Sequence, residues 1–234
     1  MPTINEVTKN FDRLADAFHV VTNNMSKSSG PFNNSVIAFS GLAGSGKDSA
    51  GEALLSTPLF NRVSFADPIR IMLTAIGVPV SEIYEGTSKF GKEDPIPEFC
   101  GSSLRKLMQT LGTEWGRDQI SPDFWVQLAQ NQIKRNQAQR RYTVITDLRF
   151  DNEAKMIKDN GGVIIHIKAN GKKLEGDTYK HASEQGIDPG YIDFQMTNWF
   201  DTPAVESKYT FMSDVLRLVA NIITEKPVER FKVN

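Results

Sequence analysis

Runs of β-forming residues alternate along the chain with stretches in which apolar residues recur every three or four positions. The β-forming runs include residues 36–39, 142–145 and 163–168. Between them, the apolar residues are spaced as on one face of an amphipathic helix. Strands that alternate with helices predict a parallel sheet covered by helices on both faces.

Glycine, proline and the ends of these patterns set the boundaries of the predicted elements. Strands are predicted near residues 36–39, 62–65, 142–145, 163–168 and 193–197. Helices are predicted near residues 4–20, 48–56, 68–76, 103–111, 122–137, 151–160 and 211–223. Asp67-Pro68 is typical of an N-cap followed by a first-turn proline. The expected fold class is therefore α/β, with a mostly parallel five-stranded sheet.

Composition divides the chain into an extension, a linker and one large domain. Residues 23–35 are polar and contain a Gly-Pro pair, as linkers do, which leaves residues 1–22 as an N-terminal helical extension. The main domain is predicted at 36–224, and a frayed tail at 225–234. Inside the main domain, the polar, glycine-rich residues 169–190 are a candidate lid.

The extension has one apolar stripe along its predicted helix. Two interpretations stay open: the stripe packs on the main domain, or it contacts a partner, in which case it allows a homodimer. The stripe residues are Ile4, Val7, Phe11, Leu14 and Phe18.

Composition and charge disfavour several classes of protein. The 234 residues are 39% hydrophobic and 24% charged, which fits an ordinary globular domain with a sizeable core. A net charge of −1 gives no argument for binding nucleic acid or anionic membranes. No run approaches the roughly 18 apolar residues of a membrane span, and the first residues lack signal-peptide features. The single cysteine, Cys100, forms no intrachain disulfide, which suits the cytoplasm.

A glycine-rich loop with the pattern G-x-x-x-x-G-K follows the first strand at residues 41–47. Its glycines allow a tight turn close to a ligand, and consecutive backbone N–H groups form an anion cradle. The following helix adds the positive end of its dipole, and Lys47 adds a charge for the β- and γ-phosphates of a nucleotide. The predicted ATP-binding residues are Gly41, Ala43, Gly44, Ser45, Gly46, Lys47, Asp48 and Ser49.

The same spacing recurs at residues 86–92, but the context differs. No buried strand precedes it, and Glu93-Asp94-Pro95 follow it. The two acids oppose phosphate and the proline opposes a helix. We interpret residues 86–92 as a surface loop, because the motif requires a strand, a loop and a helix.

Asp48 stands where phosphate-binding loops normally have a Ser or Thr that binds Mg²⁺. A carboxylate is also a hard oxygen ligand, so Asp48 is a candidate Mg²⁺ ligand, directly or through water. Alternatively, Asp48 contributes only a favourable negative charge in the first helical turn.

Several basic residues and one acid near strand ends and helix starts indicate phosphoryl transfer. Arginine grips phosphate with two hydrogen bonds, and the transferred group needs positive charge around it. Asp147 ends a predicted strand, so it and Arg149 are expected at the ligand-binding edge of the sheet. There Asp147 would hold Mg²⁺ or orient Arg149 and the acceptor. The arginines are Arg70, Arg105, Arg117 and Arg149, and they favour a small-molecule kinase over a simple ATPase.

The remaining polar candidates are histidines and their neighbours. His181, Ser183 and Glu184 lie in the candidate lid, where they would contact nucleotide or assist closure, or have no direct role. A histidine can act as an acid or base, but phosphoryl acceptors need little such help. His19 and His166 are expected to be packing residues.

Taken together, these motifs resemble the bacteriophage-type deoxynucleoside monophosphate kinases, within the wider group of P-loop nucleoside monophosphate kinases. The resemblance spans about residues 36–200 and leaves residues 1–34 outside it. Its motifs are the loop with the Gly-Lys-Asp-Ser ending and, in order, residues 65–70, 104–113, 123–126, 144–149, 162–166 and 181–184.

The resemblance implies a three-layer P-loop kinase fold with a lid and transfer of the γ-phosphoryl group from Mg²⁺·ATP to a deoxynucleoside monophosphate. It also implies that Asp48 is the family's own variant of the loop. The catalytic residues it implies are Lys47, Arg149, Asp147 and Arg105, and the residues around the monophosphate are Arg70, Arg105, Thr113, Arg117, Asp147 and Arg149, with the weakest match at Arg117.

Two other functions stay open at this point. Another small-molecule kinase with a similar loop, such as phosphomevalonate kinase, would differ in its acceptor site. A nucleobase needs a flat, partly aromatic slot, and Trp115, Phe124, Trp125 and Phe150 would build one, although core packing explains them equally well. A binding module that holds nucleotide without turnover is the third reading, and Lys47 with several arginines argues against it.

Overall fold

The computed structural model describes residues 34–80, 94–170, 186–200 and 204–224, and the isolated residues 15, 16, 19 and 83. Residues 86–92, all five residues of the N-terminal stripe, most of the linker, lid residues 171–185 and the tail after 224 lie outside the described residues. Where it is described, the predicted first helix is helical at Ala15, Asp16 and His19, whose side chains are exposed. The prediction that His19 is a packing residue is therefore wrong, because its side chain is exposed.

The described elements include those predicted from residue 36 onward, in the predicted order, together with a two-stranded sheet and a π-helix that were not predicted. The strands are β1 (Val36–Ser40), β2 (Phe60–Arg62), β3 (Pro95–Ile96), β4 (Ser102–Ser103), β5 (Tyr142–Ile145), β6 (Val163–Asn170) and β7 (Phe194–Trp199). The helices are α1 (Lys47–Leu55), α2 (Asp67–Ala75), α3 (Leu104–Gln109), α4 (Phe124–Ala138), α5 (Asp151–Asp159) and α6 (Ala204–Ile223), with a π-helix at Thr110–Ile120 and 3₁₀ turns at Pro97–Phe99 and Pro189–Tyr191.

The chain divides into two compact units, which we call the sheet unit (residues 1–63 and 132–234) and the helical unit (residues 64–131). The sheet unit contains a five-stranded sheet in the order β2-β5-β1-β6-β7. Every strand pair in it is parallel. The predicted α/β fold, with a five-stranded parallel sheet and helices around it, is therefore confirmed.

Alternate residues of the central strand face opposite sides of the sheet, since the strand period is two. Ile37 and Phe39 are buried in a core shared with α1 and α6. Ala38 and Ser40 consequently face the other side, where α5 packs against β6. On that side the end of α4 is tied to β5, because Asn136 Nδ2 donates a hydrogen bond to Thr143 Oγ1 at 3.0 Å.

The helical unit has its own small core, in which Trp125 is only 2% exposed. Trp125 packs with Ile69 and Leu104, and its Nε1 donates a hydrogen bond to the carbonyl oxygen of Gly112 at 2.7 Å. Trp115 and Phe124 pack against this core with Trp125. Of the two interpretations of these aromatic residues, the structure supports core packing.

Several boundaries differ from prediction for local reasons. Asp67 is the first residue of α2 and not its N-cap, which is Ala66. Its carboxylate does not cap the helix but forms an ion pair with Arg70, three residues later. The last helix begins at Ala204 and not at residue 211. Its first residue in the hydrophobic core is Phe211, so the apolar pattern used for the prediction begins later than the helix itself. Of the candidate lid, residues 169 and 170 belong to β6.

Within the described ranges, no helix has both the length and the apolar composition that crossing a bilayer requires.

Candidate functional site

The glycine-rich loop links the carboxyl end of β1 to the first turn of α1. Gly41, Gly44 and Gly46 have positive φ angles of 135°, 72° and 108°, which glycine adopts without steric penalty. A Cβ at Gly41 would also overlap the carbonyl oxygen of Ile167 in β6. All three positions therefore favour glycine for backbone conformation, and Gly41 also requires it for space.

The first turn of α1 presents its donors toward the loop. Gly46 occupies the N-cap position, and no side chain caps the helix there. The backbone N–H groups at such an end lack intrahelical acceptors and attract an anion. Lys47 folds back over the loop, where its Nζ donates hydrogen bonds to the carbonyl oxygens of Gly41 at 2.6 Å and Leu42 at 2.8 Å.

A buried asparagine supports the loop from β7. Asn198 is 6% exposed, and its Nδ2 donates a hydrogen bond to the carbonyl oxygen of Ser45 at 3.0 Å. A Cβ at Gly46 would overlap this amide. No local pattern indicated this role of Asn198, because it lies more than 150 residues beyond the loop.

Asp48 is exposed in the first turn of α1, beside Ser49. Three residues later on the same helical face, Gly51 packs so closely on Thr146 that a Cβ would overlap its methyl group. The face of α1 that includes Asp48 is therefore the one turned toward the end of β5, where Asp147 follows.

A buried carboxylate holds the backbone around Arg149. Glu153 is 1% exposed, and its Oε2 accepts hydrogen bonds from the N–H groups of Arg149 at 2.9 Å and Phe150 at 3.2 Å. These are the residues that connect β5 to α5, so Glu153 fixes the start of α5 and the position of the Arg149 backbone. Sequence analysis missed Glu153, although an acid in the first turn of a helix is a recognised signal.

A cavity of about 420 Å³ lies beside the loop in the sheet unit. Cationic side chains reach it from three elements, and none of the described residues that line it is an aspartate or glutamate. Apolar residues of the segment at 186–192 complete the wall; that segment is tied to α5, because Asp188 N donates to Asp151 Oδ1 at 2.8 Å. The polar lining residues are Ser40, Lys47, Arg149, His166, Lys168 and Gln195.

Three polar residues form a row across the sheet on the cavity side. Ser40 of β1 is in register with His166 of β6, which is in register with Gln195 of β7. Ser40 Oγ and His166 Nδ1 are 3.0 Å apart and share a hydrogen bond. Burial, and then the charges of Lys168 and Lys47, lower the pKa of His166 from 6.5. The prediction that His166 is a packing residue is therefore wrong, because its ring lines the cavity.

The remaining predicted residues lie in the helical unit. Arg70 Nη1 donates hydrogen bonds to Asp67 Oδ1 at 2.7 Å and Ser64 Oγ at 3.1 Å. Arg117 Nη1 donates to the carbonyl oxygen of Pro122 at 3.3 Å. Arg105 and Thr113 are half-buried on the helical run from α3 into the π-helix.

Of the predicted residues, the structure thus brings Gly41, Ala43, Lys47 and Arg149 together around one cavity within the sheet unit. It places Arg70, Arg105, Thr113 and Arg117 in the helical unit. The predicted lid residues His181, Ser183 and Glu184 lie outside the described residues.

Comparison with known proteins gives one consistent family. A family model described as deoxynucleotide monophosphate kinase matches residues 96–207. A protein of Acanthamoeba polyphaga mimivirus, provisionally named a deoxynucleotide monophosphate kinase, is 28% identical over 197 residues, which are 80% of this chain and 96% of the relative.

Two phage proteins match over shorter segments. The deoxynucleoside-5'-monophosphate kinase of Escherichia phage T5 is 30% identical over 106 residues, 42% of this chain and 40% of the relative. The deoxynucleotide monophosphate kinase of Enterobacteria phage T4 is 31% identical over 97 residues, 41% of this chain and 39% of the relative.

Proposed function

We infer that this chain, a relative of the deoxynucleotide monophosphate kinases, is itself a kinase of that kind and transfers the γ-phosphoryl group of ATP to a deoxynucleoside monophosphate. The products are ADP and a deoxynucleoside diphosphate. The observation that supports this most directly is the cavity beside the glycine-rich loop. Lys47 and Arg149 meet there, and no carboxylate is among its described lining residues.

In this proposal the loop at 41–47 holds the phosphates of ATP. Before ATP binds, Lys47 Nζ donates hydrogen bonds to the carbonyl oxygens of Gly41 and Leu42, which hold its charge beside the loop. When ATP binds, Lys47 donates to phosphate oxygens instead. Ser45 Oγ is buried and has no hydrogen-bond partner in the described part of the chain. Because a buried hydroxyl without a partner is unfavourable, we propose that it donates to a bound phosphate.

Arg149 stabilises the negative charge on the transferred phosphoryl group, since phosphoryl transfer is catalysed mainly by positioning and electrostatics. Its backbone is fixed through Glu153, which limits the conformations that the side chain samples. Asp147, two residues earlier, orients Arg149 and the acceptor or holds the metal.

Oxygen ligands for Mg²⁺ are available where the proposal needs them. Within the described ranges, no cluster of three or more His, Cys, Asp or Glu side chains is placed to hold a metal alone. Kinases need no such cluster, because Mg²⁺ is bound by one or two carboxylates together with substrate phosphates. Asp48, with Asp147 near the same end of β5, fits that requirement, and bound Mg²⁺ would neutralise charge on the phosphates.

We propose that the residues implied by the resemblance bind the acceptor monophosphate, namely Arg70, Arg105, Thr113, Arg117, Asp147 and Arg149. The ion pair of Arg70 with Asp67 holds one guanidinium in a defined orientation. The lid residues His181, Ser183 and Glu184 would close over ATP and exclude water, which otherwise competes as acceptor.

The test is ADP release by the purified protein with Mg²⁺·ATP and each of dAMP, dGMP, dCMP, dTMP, the four ribonucleotides and phosphomevalonate. Stimulation by one or more deoxynucleotides is expected, with loss of about 10²-fold or more in Lys47→Ala and Arg149→Ala. Lys134→Ala, which changes an exposed lysine of α4, is the matched control. Stimulation by phosphomevalonate alone, or by nothing while ATP still binds, would contradict the proposal.

Chelation of Mg²⁺ with EDTA is expected to stop the reaction and added Mg²⁺ to restore it. Asp48→Asn should raise the Mg²⁺ concentration needed for half-maximal activity; an unchanged requirement would remove Asp48 from the metal site.

We further propose that the enzyme works in the cytoplasm, which is the host cell's cytoplasm if a phage encodes it. We also propose that the N-terminal stripe supports a homodimer, which analytical ultracentrifugation would detect.

A further inference from the structure

Lys168 is a cationic residue of the cavity that no sequence motif indicated. It lies on β6, and its exposed side chain lines the cavity with Lys47 and Arg149. The three charges come from three separate elements: the start of α1, the segment after β5, and β6. None of the described residues that line the cavity is an aspartate or glutamate.

Strand geometry determines where Lys168 points. Residues two apart on a strand face the same side of the sheet, so Lys168 faces the same side as His166. The row of Ser40, His166 and Gln195 forms the floor there, and Lys168 stands one step nearer the carboxyl end, in register with Thr197. Ligands of parallel sheets bind at that end.

Both lysines act on the same imidazole. The positive charges of Lys168 and Lys47 each contribute to lowering the pKa of His166. His166, which shares a hydrogen bond with Ser40, lines the same cavity as both lysines. Three cationic side chains that line one cavity favour a polyanionic ligand, and a polyphosphate has that charge.

We propose that Lys168 is a third phosphate-binding cation of this site and contacts the terminal phosphate of the bound nucleoside triphosphate, together with Lys47 and Arg149. The identification of that phosphate as the γ-phosphate of ATP rests on the proposed function. The binding of a polyphosphate chain by the three cations does not, because it requires no acceptor.

The experiment measures binding of inorganic tripolyphosphate, and separately of ATP, by isothermal titration calorimetry at low and high salt. The variants are Lys168→Met, Lys168→Arg and the control Lys134→Met. Lys168→Met is expected to weaken tripolyphosphate binding at least about tenfold, as loss of a charge-assisted hydrogen bond does. It should also reduce the salt dependence of binding, whereas Lys168→Arg should stay within a few-fold of the unchanged protein and Lys134→Met should match it.

Failure of this inference and failure of the proposed function give different results. If Lys168→Met is folded, by circular dichroism, and binds tripolyphosphate as the unchanged protein does, the inference is wrong even if the kinase is active. If Lys168→Met loses tripolyphosphate binding but no deoxynucleotide stimulates ADP release, the inference stands and the proposed function is wrong. For an active kinase, kcat/KM for ATP should fall in Lys168→Met and recover in Lys168→Arg.

Discussion

At the scale of single residues, His166 interacts both with a polar neighbour on the floor of the cavity and with the cationic side chains that line it. Its Nδ1 shares a hydrogen bond with Ser40 Oγ at 3.0 Å, and Lys47 and Lys168 act on its ring. The protonated ring would add a third positive charge beside two lysines and would have to be desolvated. Both effects favour the neutral ring in the folded protein.

This environment predicts how stability changes with pH. The pKa of His166 is lowered from 6.5 in the folded protein, and it returns to that value on unfolding. As pH falls below about 6.5, the histidine of the unfolded chain binds a proton more readily than that of the folded chain, which favours unfolding. The contribution of neutral His166 to stability is therefore fully present above that pH. It is lost as pH falls from there through the lower pKa of the folded state. The urea midpoint should therefore drop between roughly pH 7.5 and pH 5.5.

The matched variants are His166→Asn, which should flatten this pH dependence, and His19→Asn, which changes an exposed histidine and should leave it intact. An equal pH dependence in the unchanged protein and in His166→Asn would contradict the assignment.

At the scale of elements, the start of α5 depends on Glu153. Replacing it by Ala removes an acceptor shared by the N–H groups of Arg149 and Phe150, and losing buried hydrogen bonds of this kind costs about 1–3 kcal/mol. We expect Glu153→Ala to lower the free energy of unfolding by that amount and also to lower kcat through Arg149. Glu153→Gln keeps an acceptor oxygen and should recover part of both losses.

The measurements are urea unfolding and steady-state kinetics on the same preparations. If kcat in Glu153→Ala equals that of the unchanged protein at a temperature where both are folded, Glu153 stabilises α5 without positioning Arg149. Glu114→Ala, an exposed acid of the helical unit, serves as the control.

The packing of α1 on the end of β5 gives a second prediction for elements. A Cβ at Gly51 would overlap the Thr146 methyl group, so Gly51→Ala should displace α1 and destabilise the protein by about 1–3 kcal/mol. Because α1 begins at Lys47, the KM for ATP should rise as well. Thr146→Ser removes the methyl group, so the double variant should recover stability and KM.

A double-mutant cycle on thermal unfolding and on KM measures this coupling. If the effects of Gly51→Ala and Thr146→Ser are additive, the overlap of the new Cβ with the Thr146 methyl group is not the cause of the destabilisation.

At the scale of the whole molecule, ligand binding to the folded state alone stabilises it by mass action. At a concentration of ADP one hundred times its Kd, the gain is about 2.7 kcal/mol, and for a chain of this length that corresponds to a rise in Tm of several degrees. Lys47→Ala should abolish the rise at the same ADP concentration, and Lys134→Ala should keep it. Differential scanning fluorimetry measures both, and an equal rise in Lys47→Ala would place ADP outside the loop.

The element order, the parallel sheet and the glycine-rich loop could be predicted because each depends on residues that are neighbours in sequence. β1, the loop and the start of α1 form one continuous stretch from Val36 to Lys47, so spacing and residue type together are sufficient. The start of α6 was predicted too late, because the helix begins several residues before its first core residue. Hydrophobic periodicity indicates only the part of a helix that packs against a core.

The sequence by itself determined the fold class and the strand, glycine-rich loop and helix that follow one another from Val36, since local patterns of glycine and apolar residues encode them. The tertiary structure decided which other residues share the cavity. Ser40, His166 and Gln195 meet through the register of three strands. Asn198 reaches Ser45 from the edge strand, and Lys168 lines the same cavity as Lys47 and His166. Strand register arises from packing between segments far apart in the chain, and no local pattern records it.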